Sequence, residues 1–193
     1  NNSVISMHDV DTVYSIPVLL NKQKVDKTIL SKLKIRTTNP KLNDWKRVIK
    51  AKLLPEREVN VSFVGKYTEL KDSYKSINEA LEHAGIKNKA QVNINFVEAE
   101  NITSKNIRKT LKNADAVLVP GGFGERGIEG MILACKYARE NDIPYLGICL
   151  GMQIAIIEYA RNVLKLKDAN STEFNKDTKH PVIGLITEWS DIS

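Results

Sequence analysis

The sequence contains little cysteine and no long hydrophobic run. Its 2 cysteines among 193 residues are too few for a disulfide scaffold, so a reducing compartment is expected. No stretch approaches the roughly 20 apolar residues that a membrane-spanning helix needs. No basic segment followed by an apolar one, the pattern of a secretory signal peptide, opens the chain. We therefore expect a soluble cytoplasmic protein that does not enter a membrane.

Nucleic-acid-binding signatures are also missing, although the chain is basic. The formal net charge is +6, and such an excess can serve contacts with phosphate groups. The lysines are scattered among acidic residues, however, and no zinc-finger spacing, helix-turn-helix pattern or RNA-binding aromatic motif occurs. A solvated, lysine-rich surface is the favoured interpretation, and no nucleic-acid partner is expected.

The first 54 residues contain turn and helix signals but no strong strand. The Asn39-Pro40 step predicts a break, because the residue before a proline avoids the helical region. Asn43 and Asp44 predict the capped start of a helix over residues 45–49, which has ended by Pro55. The charged residues 55–58 that follow are predicted to form a linker.

From residue 59 onward, short apolar runs alternate with segments of helical periodicity. Helices are predicted at residues 70–84 (with Gly85 as the C-terminal cap), 102–112, 127–140 and 152–166. Strands are predicted at residues 59–65, 92–97, 114–119, 144–148 and 181–186, and those at 114–119 and 144–148 are expected to be buried. Alternation of this kind predicts an α/β fold, with a mostly parallel open sheet and helices on both faces. Functional sites in such folds lie at the carboxyl ends of the strands.

A glycine-rich loop follows the predicted strand at residues 114–119. Gly121, Gly122 and Gly124 come directly after Pro120, and glycine lets a backbone approach a ligand closely or adopt positive φ. The loop lacks the Gly-Lys-Ser/Thr sequence of a phosphate-binding P-loop. Taken alone, it is equally compatible with a ligand-binding loop and with a tight turn.

The segment Gly147-Ile-Cys-Leu-Gly151 joins a predicted strand to a predicted helix. This is the layout of the nucleophile elbow, Gly-x-Ser-x-Gly, with cysteine in place of serine. The nucleophile of such an elbow occupies a sharp, strained turn, so its flanking residues must be small, and the following helix N terminus favours the thiolate. Cys149 is therefore predicted to be a nucleophile, with backbone N–H groups of Leu150 and the Gly122 region as candidate oxyanion donors.

The second cysteine, Cys135, has different surroundings. It lies within a predicted helix, among apolar residues, with no flanking glycine and no turn. We expect Cys135 to be an inert packing residue.

Four sequence motifs together resemble the CTP synthase family. They are Pro120-Gly-Gly-Phe-Gly124, Arg126-Gly-Ile-Glu-Gly130, Leu146-Gly-Ile-Cys-Leu-Gly-Met-Gln153 and Asn170-Ser-Thr-Glu-Phe174. The elbow alone indicates only the class I glutamine amidotransferases, whereas the glycine loop together with the Asn-Ser-Thr-Glu-Phe segment is specific to CTP synthases. Val64-Gly-Lys-Tyr67 and Glu69-Leu-Lys-Asp72 with Tyr74 resemble the opening of the amidotransferase domain. Asp9-Val-Asp11, Tyr14 and Ile16-Pro17 resemble the end of the preceding synthetase domain.

The resemblance implies a domain organisation and a fold. Residues 1–54 would be the end of the synthetase domain with an interdomain linker. Residues 55–193 would be a glutamine amidotransferase domain of flavodoxin-like fold whose C-terminal part is absent. We therefore expect a piece of a longer polypeptide.

The resemblance also implies an activity. Cys149 would attack the side-chain amide of L-glutamine, form a glutamyl thioester and release ammonia. Gly122 and Leu150 would supply the oxyanion donors. Gln153 and Glu173 would bind the glutamine, with the Glu173 carboxylate paired to the substrate's α-ammonium group.

In CTP synthases the ammonia travels to a synthetase domain, where ATP and Mg²⁺ activate UTP for amination to CTP. GTP activates the glutaminase step allosterically. By resemblance, Asp9 and Val10 lie near the ATP adenine, and Phe123 and Arg126 lie on a loop near the GTP effector. ATP and Mg²⁺ would be held mainly outside this chain, and no metal ligand is expected within it. The family also implies a homo-oligomer, a dimer or a tetramer.

A general base for the cysteine is not evident in the sequence. The family supplies it as a His-x-Glu pair, whereas His8, His83 and His180 are followed by Asp-Val, Ala-Gly and Pro-Val. We therefore expect this chain alone to be inactive on glutamine. Two alternatives stay open: a non-catalytic assembly or regulatory module of the same enzyme, and another cysteine-elbow amidotransferase or hydrolase.

Overall fold

The structure, a computed structural model, describes residues 4–67 and 71–184. Their internal contacts divide them into two compact units. The first comprises residues 4–58 and 76–92, and the second comprises residues 59–67, 71–75 and 93–184. The domain boundary placed before residue 55 in the sequence stays a prediction. None of the helices within the described ranges combines the length and apolar character that a membrane crossing requires.

The secondary structure of the described residues alternates between helices and strands, as the sequence predicts. The α-helices are α1 (Ile16–Lys22), α2 (Val25–Lys32), α3 (Asn43–Leu53), α4 (Lys75–Asn88), α5 (Ile107–Thr110), α6 (Ile128–Glu140) and α7 (Leu150–Asn162). The strands are β1 (Arg57–Gly65), β2 (Ala90–Glu98), β3 (Ala116–Val119), β4 (Tyr145–Gly147), β5 (Asn170–Ser171) and β6 (Pro181–Ile183). Short 3₁₀ helices occur at Val13–Ser15, Lys71–Tyr74 and Ala99–Asn101.

The main sheet has the strand order β2-β1-β3-β4. β3 pairs in parallel with β1, with Phe63 opposite Leu118, and in parallel with β4, with Val119 opposite Gly147. β5 and β6 form a separate parallel pair. The predicted α/β fold with a mostly parallel open sheet is confirmed. The carboxyl ends of β1, β3 and β4 consequently share one edge of the sheet.

The core of the second unit explains why these segments fold as they do. The apolar run of β3 is buried, and α6 and α7 pack against this strand. Both helices present apolar residues at helical spacing to the core, namely Met131, Ile132, Ala134, Cys135, Ala138, Leu150, Ile154 and Ile157. The predicted packing role of Cys135 is confirmed.

Several predicted boundaries were wrong for local reasons. The helix expected over residues 102–112 is reduced to the single turn of α5. The turn begins after Thr103: the Asn106 side chain accepts from Thr103 N at 2.8 Å, as in an N-terminal capping box, and donates to Asn101 O at 2.7 Å. Residues 57 and 58 belong to β1 instead of a linker. Leu42, without a side-chain cap, precedes α3, so Asn43 and Asp44 lie in its first turn.

The helix expected over residues 70–84 differs at both ends. It is divided into the 3₁₀ turn Lys71–Tyr74 and α4, and Leu70 lies outside the described residues. Gly85 is not the cap of α4. It is buried within the helix, where a Cβ would lie 2.5 Å from Ala90 O.

Two later strands also differ from their predictions. β4 lies at the edge of the described sheet, which leaves the Leu146 side chain 53% exposed instead of buried. The last strand is observed at Pro181–Ile183, and its predicted end at Ile186 lies outside the described residues.

Candidate functional site

The turn between β4 and α7 holds Cys149 in a strained backbone conformation. Its φ is +53° and its ψ is −103°, a region that side-chain-bearing residues rarely adopt. The flanking glycines are sterically required. A Cβ on Gly147 would lie 2.4 Å from the Gly151 carbonyl carbon, and a Cβ on Gly151 would lie 2.1 Å from Val119 O. The sequence therefore folds locally into the sharp elbow that its glycine spacing requires.

The elbow places the Cys149 thiol at the start of α7 and in contact with solvent. Cys149 is the residue that precedes the helix, and its carbonyl accepts from Met152 N at 3.1 Å and Gln153 N at 3.3 Å. The N terminus of a helix carries a partial positive charge, and Cys149 lies directly at this end of α7. Exposure leaves the sulfur open to attack a substrate.

The glycine-rich loop after β3 lies against this elbow. A Cβ on Gly121 would lie 3.4 Å from Cys149 Cβ and 3.9 Å from its Sγ, and one on Gly122 would lie 3.3 Å from Leu150 Cδ2. Three residues predicted to act together, Gly122, Cys149 and Leu150, are thus neighbours in the structure. Their predicted roles as nucleophile and oxyanion donors stay predictions.

The far end of the glycine-rich loop is held by two charged side chains. Lys66, directly after β1 and only 6% exposed, donates from Nζ to Phe123 O at 2.8 Å and to Gly124 O at 2.6 Å. Glu173 accepts from Gly124 N at 3.0 Å through Oε1. Burial lowers the pKa of the Lys66 ammonium. Sequence reasoning gave Lys66 no role. A charged residue at the end of a buried strand is the feature that could have identified it as a candidate site residue.

Gln153, the other predicted glutamine-binding residue, lies one turn into α7. Its Oε1 atom is buried and accepts no hydrogen bond from the residues that the structure describes. A buried polar atom without a partner is costly. The predicted role of Gln153 in glutamine binding stays a prediction.

The two loop residues predicted to lie near a nucleotide have different surroundings. The Phe123 side chain is 85% exposed. The Arg126 guanidinium lies 2.6 Å from Glu100 Oε1 and 4.5 Å from the centre of the Tyr67 ring. The hydrogen bond to Glu100 raises the pKa of Arg126 above its ordinary value. Arg126 therefore holds the loop to the segment after β2.

Asp9 and Val10 belong to the first unit. With His8 and Asp11 they line an open pocket whose apolar wall includes Leu19. No potential metal site, in the sense of three or more clustered carboxylate, imidazole or thiol groups, occurs within residues 4–67 and 71–184.

None of the three histidines hydrogen-bonds to Cys149 within the part of the chain that the structure describes. His83 Nε2 lies 2.9 Å from Tyr14 Oη, and His180 Nδ1 contacts the Asp168 carboxylate. That contact lowers the pKa of Asp168. The described residues thus contain a candidate nucleophile and candidate oxyanion donors. None of the described histidines is hydrogen-bonded to the thiol as a general base.

The buried thiol of Cys135 contrasts with that of Cys149. Burial raises the pKa of Cys135 to about 12. At neutral pH it stays a protonated thiol, which is a poor nucleophile. Only the elbow cysteine therefore combines access, a strained backbone and a helix N terminus.

Comparison with known proteins points in the same direction. The profile of the family "Glutamine amidotransferase class-I" matches residues 69–187. Among solved structures, the glutaminase domain of Trypanosoma brucei CTPS with bound acivicin is similar, with 42% sequence identity and a TM-score of 0.64. The match covers 67% of this chain and 50% of that one, so this chain spans half of that structure's length.

Proposed function

Because the chain belongs to the class I glutamine amidotransferase family, we propose that it performs the glutaminase step of a CTP synthase. The observation that carries the proposal is Cys149, an exposed thiol at φ +53° between two sterically required glycines. The 42% identity to a CTPS glutaminase domain supports this assignment within the family.

In the proposed reaction, the Cys149 thiolate attacks the carbon of the glutamine side-chain amide. A C–S bond forms, and the carbonyl oxygen becomes an oxyanion that accepts from the N–H groups of Gly122 and Leu150. The C–N bond then breaks, the nitrogen takes up a proton and leaves as ammonia, and water hydrolyses the thioester to glutamate. One oxyanion donor of this kind is worth about 10²–10³ in rate.

Substrate binding is assigned to Gln153 of α7 and to Glu173, which follows β5. We propose that both residues bind the glutamine, and that Glu173 pairs with its α-ammonium group. Proton transfer needs a general base. We expect that base from residues outside those the structure describes, and we expect this chain alone to be inactive on glutamine.

The later steps are proposed for the whole enzyme. Ammonia would be used to aminate UTP to CTP with ATP and Mg²⁺, and GTP would activate the glutaminase through the loop that carries Phe123 and Arg126. Asp9 and Val10 would lie near ATP. The described residues offer no cluster that fits Mg²⁺, so none of this chain's chemistry is assigned to the metal. A cytoplasmic homo-oligomer, a dimer or a tetramer, is proposed by the same resemblance.

The two alternatives fare differently. Membership of the amidotransferase family removes the unrelated cysteine hydrolase. Another amidotransferase of the same class stays open and is disfavoured by the 42% identity to a CTPS glutaminase domain. A non-catalytic assembly or regulatory module agrees with the described histidines, none of which hydrogen-bonds to Cys149. That alternative predicts no glutamine hydrolysis by the full-length enzyme.

Replacing Cys149 tests the proposal. In the full-length enzyme, we expect Cys149→Ala to abolish glutamine-dependent CTP formation and to retain activity with free ammonia, because only the source of ammonia is removed. Both activities can be followed by the absorbance change from UTP to CTP. Cys135→Ala serves as the matched control and should retain both activities. Glutamine-dependent CTP formation that persists in Cys149→Ala would contradict the proposal, and so would loss of both activities.

A further inference from the structure

The loop that carries Gly122 is held at its far end by a buried cation. Lys66 Nζ donates to two consecutive backbone carbonyls, those of Phe123 and Gly124, at 2.8 and 2.6 Å. A charged donor makes stronger hydrogen bonds than a neutral one, and burial of the lysine shields them from water. These bonds fix the two residues that follow the candidate oxyanion donor.

The backbone of Lys66 is itself held in place by Tyr74. The Tyr74 hydroxyl donates to Lys66 O at 2.5 Å, and the Tyr74 ring packs on Phe63 of β1 with ring centres 4.7 Å apart. The ammonium therefore extends from a rigid strand end. A fixed donor is what a loop needs if one of its N–H groups must keep a position to within a fraction of an ångström.

The same loop is bound on its N–H side by Glu173, whose Oε1 accepts from Gly124 N at 3.0 Å. Gly124 is thus held at its carbonyl by a cation and at its N–H by an anion. A carboxylate has two oxygens, so Glu173 can accept from Gly124 and from a substrate ammonium together. The proposed glutamine ligand and the loop anchor are therefore one side chain.

We propose that Lys66 is a positioning residue for the glutaminase reaction, which sets the Gly122 N–H through the Phe123 and Gly124 carbonyls. Lys66 and Glu173, which hold Gly124 from its two sides, are called the clamp below. Through Glu173 the clamp is linked to substrate binding. This inference rests on the proposed function, because it assumes that Gly122 stabilises the oxyanion. Lys66 has no assigned contact with the reacting atoms, so its effect passes through the loop.

The clamp makes a specific kinetic prediction for Lys66→Met in the full-length enzyme. Methionine preserves much of the side-chain volume and removes the ammonium. Because the Gly122 N–H acts on the transition state, kcat for glutamine should fall about 10–100-fold with little change in KM. Ammonia-dependent activity should not change. Lys75→Met, at an exposed lysine of α4, is the matched control and should leave every parameter unchanged.

Two alkylating probes separate positioning from general damage to the elbow. Iodoacetamide needs only a reactive thiolate, whereas a chloroketone analogue of glutamine also uses the substrate-binding and oxyanion groups. In Lys66→Met, iodoacetamide should modify Cys149 at the wild-type rate within about twofold, and chloroketone labelling should fall about 10–100-fold.

Three results would overturn the clamp: an unchanged kcat, a rise in KM alone, or an equal fall in both labelling rates. Failure of the proposed function would be visible separately, because the wild-type enzyme would then hydrolyse no glutamine. Normal wild-type hydrolysis with normal Lys66→Met kinetics would remove only the clamp.

Discussion

At the scale of single residues, the site depends on two backbone positions where any side chain would clash. Gly147 and Gly151 allow the chain to reverse direction around Cys149, and the neighbouring loop packs against the elbow at Gly121 and Gly122. The strain stored at Cys149 is one of the features that expose its thiol. The same features are visible in the sequence as a glycine spacing, which is why the nucleophile could be predicted from it.

Gly151→Ala tests how tightly the elbow is packed. Alanine favours a helix by about 1 kcal/mol over glycine, but its Cβ would lie 2.1 Å from Val119 O. The clash should dominate, so we expect a loss of about 2–4 kcal/mol in unfolding free energy, measured by urea denaturation. Gly124→Ala, with φ +74° and no atom within 4 Å of its Cβ, should cost only about 1 kcal/mol. Equal effects would contradict the packing argument.

The clamp could not be predicted from the sequence in the same way. Lys66 and Glu173 are separated by more than a hundred positions, and neither the glycine loop nor the elbow specifies which side chains hold the loop. Their meeting at Gly124 depends on the order of the strands, because β1 places Lys66 beside the loop that follows β3. Local sequence patterns do not predict such a long-range contact.

At the scale of secondary-structure elements, α6 and α7 position the elbow through both packing and charge. Glu158 of α7 is 1% exposed and accepts from Arg139 of α6 through both carboxylate oxygens, at 2.8–3.2 Å. A buried carboxylate needs such a partner. The pair therefore fixes how the two helices meet.

Arg139→Ala should destabilise the second unit by leaving Glu158 buried without its cation. Breaking a fully buried pair costs about 3–5 kcal/mol. The Arg139 side chain is 36% exposed, so we expect about 2–4 kcal/mol in thermal or urea unfolding. The matched control is Lys136→Ala on the same helix, which loses only an exposed contact to Glu140 at 3.9 Å and should cost under about 0.5 kcal/mol. A loss no larger in Arg139→Ala than in this control would show that the pair contributes little.

The helix and strand pattern could be predicted wherever apolar periodicity was strong, as for α6. α7 was also predicted, although it begins two residues and ends four residues earlier than the expected range 152–166. The prediction failed for the helix expected over residues 102–112, of which only the turn Ile107–Thr110 forms. Asn106 bonds to the backbone of Asn101 and Thr103 and so sets where that turn begins. Composition alone cannot show which asparagine will do this.

At the scale of the whole molecule, the parallel character of the sheet could be predicted, but the order of its strands could not. The alternation of elements predicted parallel strands, whereas the position of β4 at the edge of the described sheet was missed, because an apolar strand of this length is normally buried. Within the described residues, α7 exposes the apolar side chains of Met152, Ile156 and Tyr159 at helical spacing.

The central claim is that Cys149 is the glutamine-directed nucleophile, and covalent labelling of the full-length enzyme tests it most directly. The enzyme would be treated with the chloroketone analogue of glutamine at neutral pH, and modified peptides would be mapped by mass spectrometry. We predict a single adduct, on Cys149, whose formation is blocked by excess glutamine. Cys135 should stay unmodified, because burial raises its pKa to about 12. An adduct at another residue, or labelling of Cys149 that glutamine does not slow, would contradict the account.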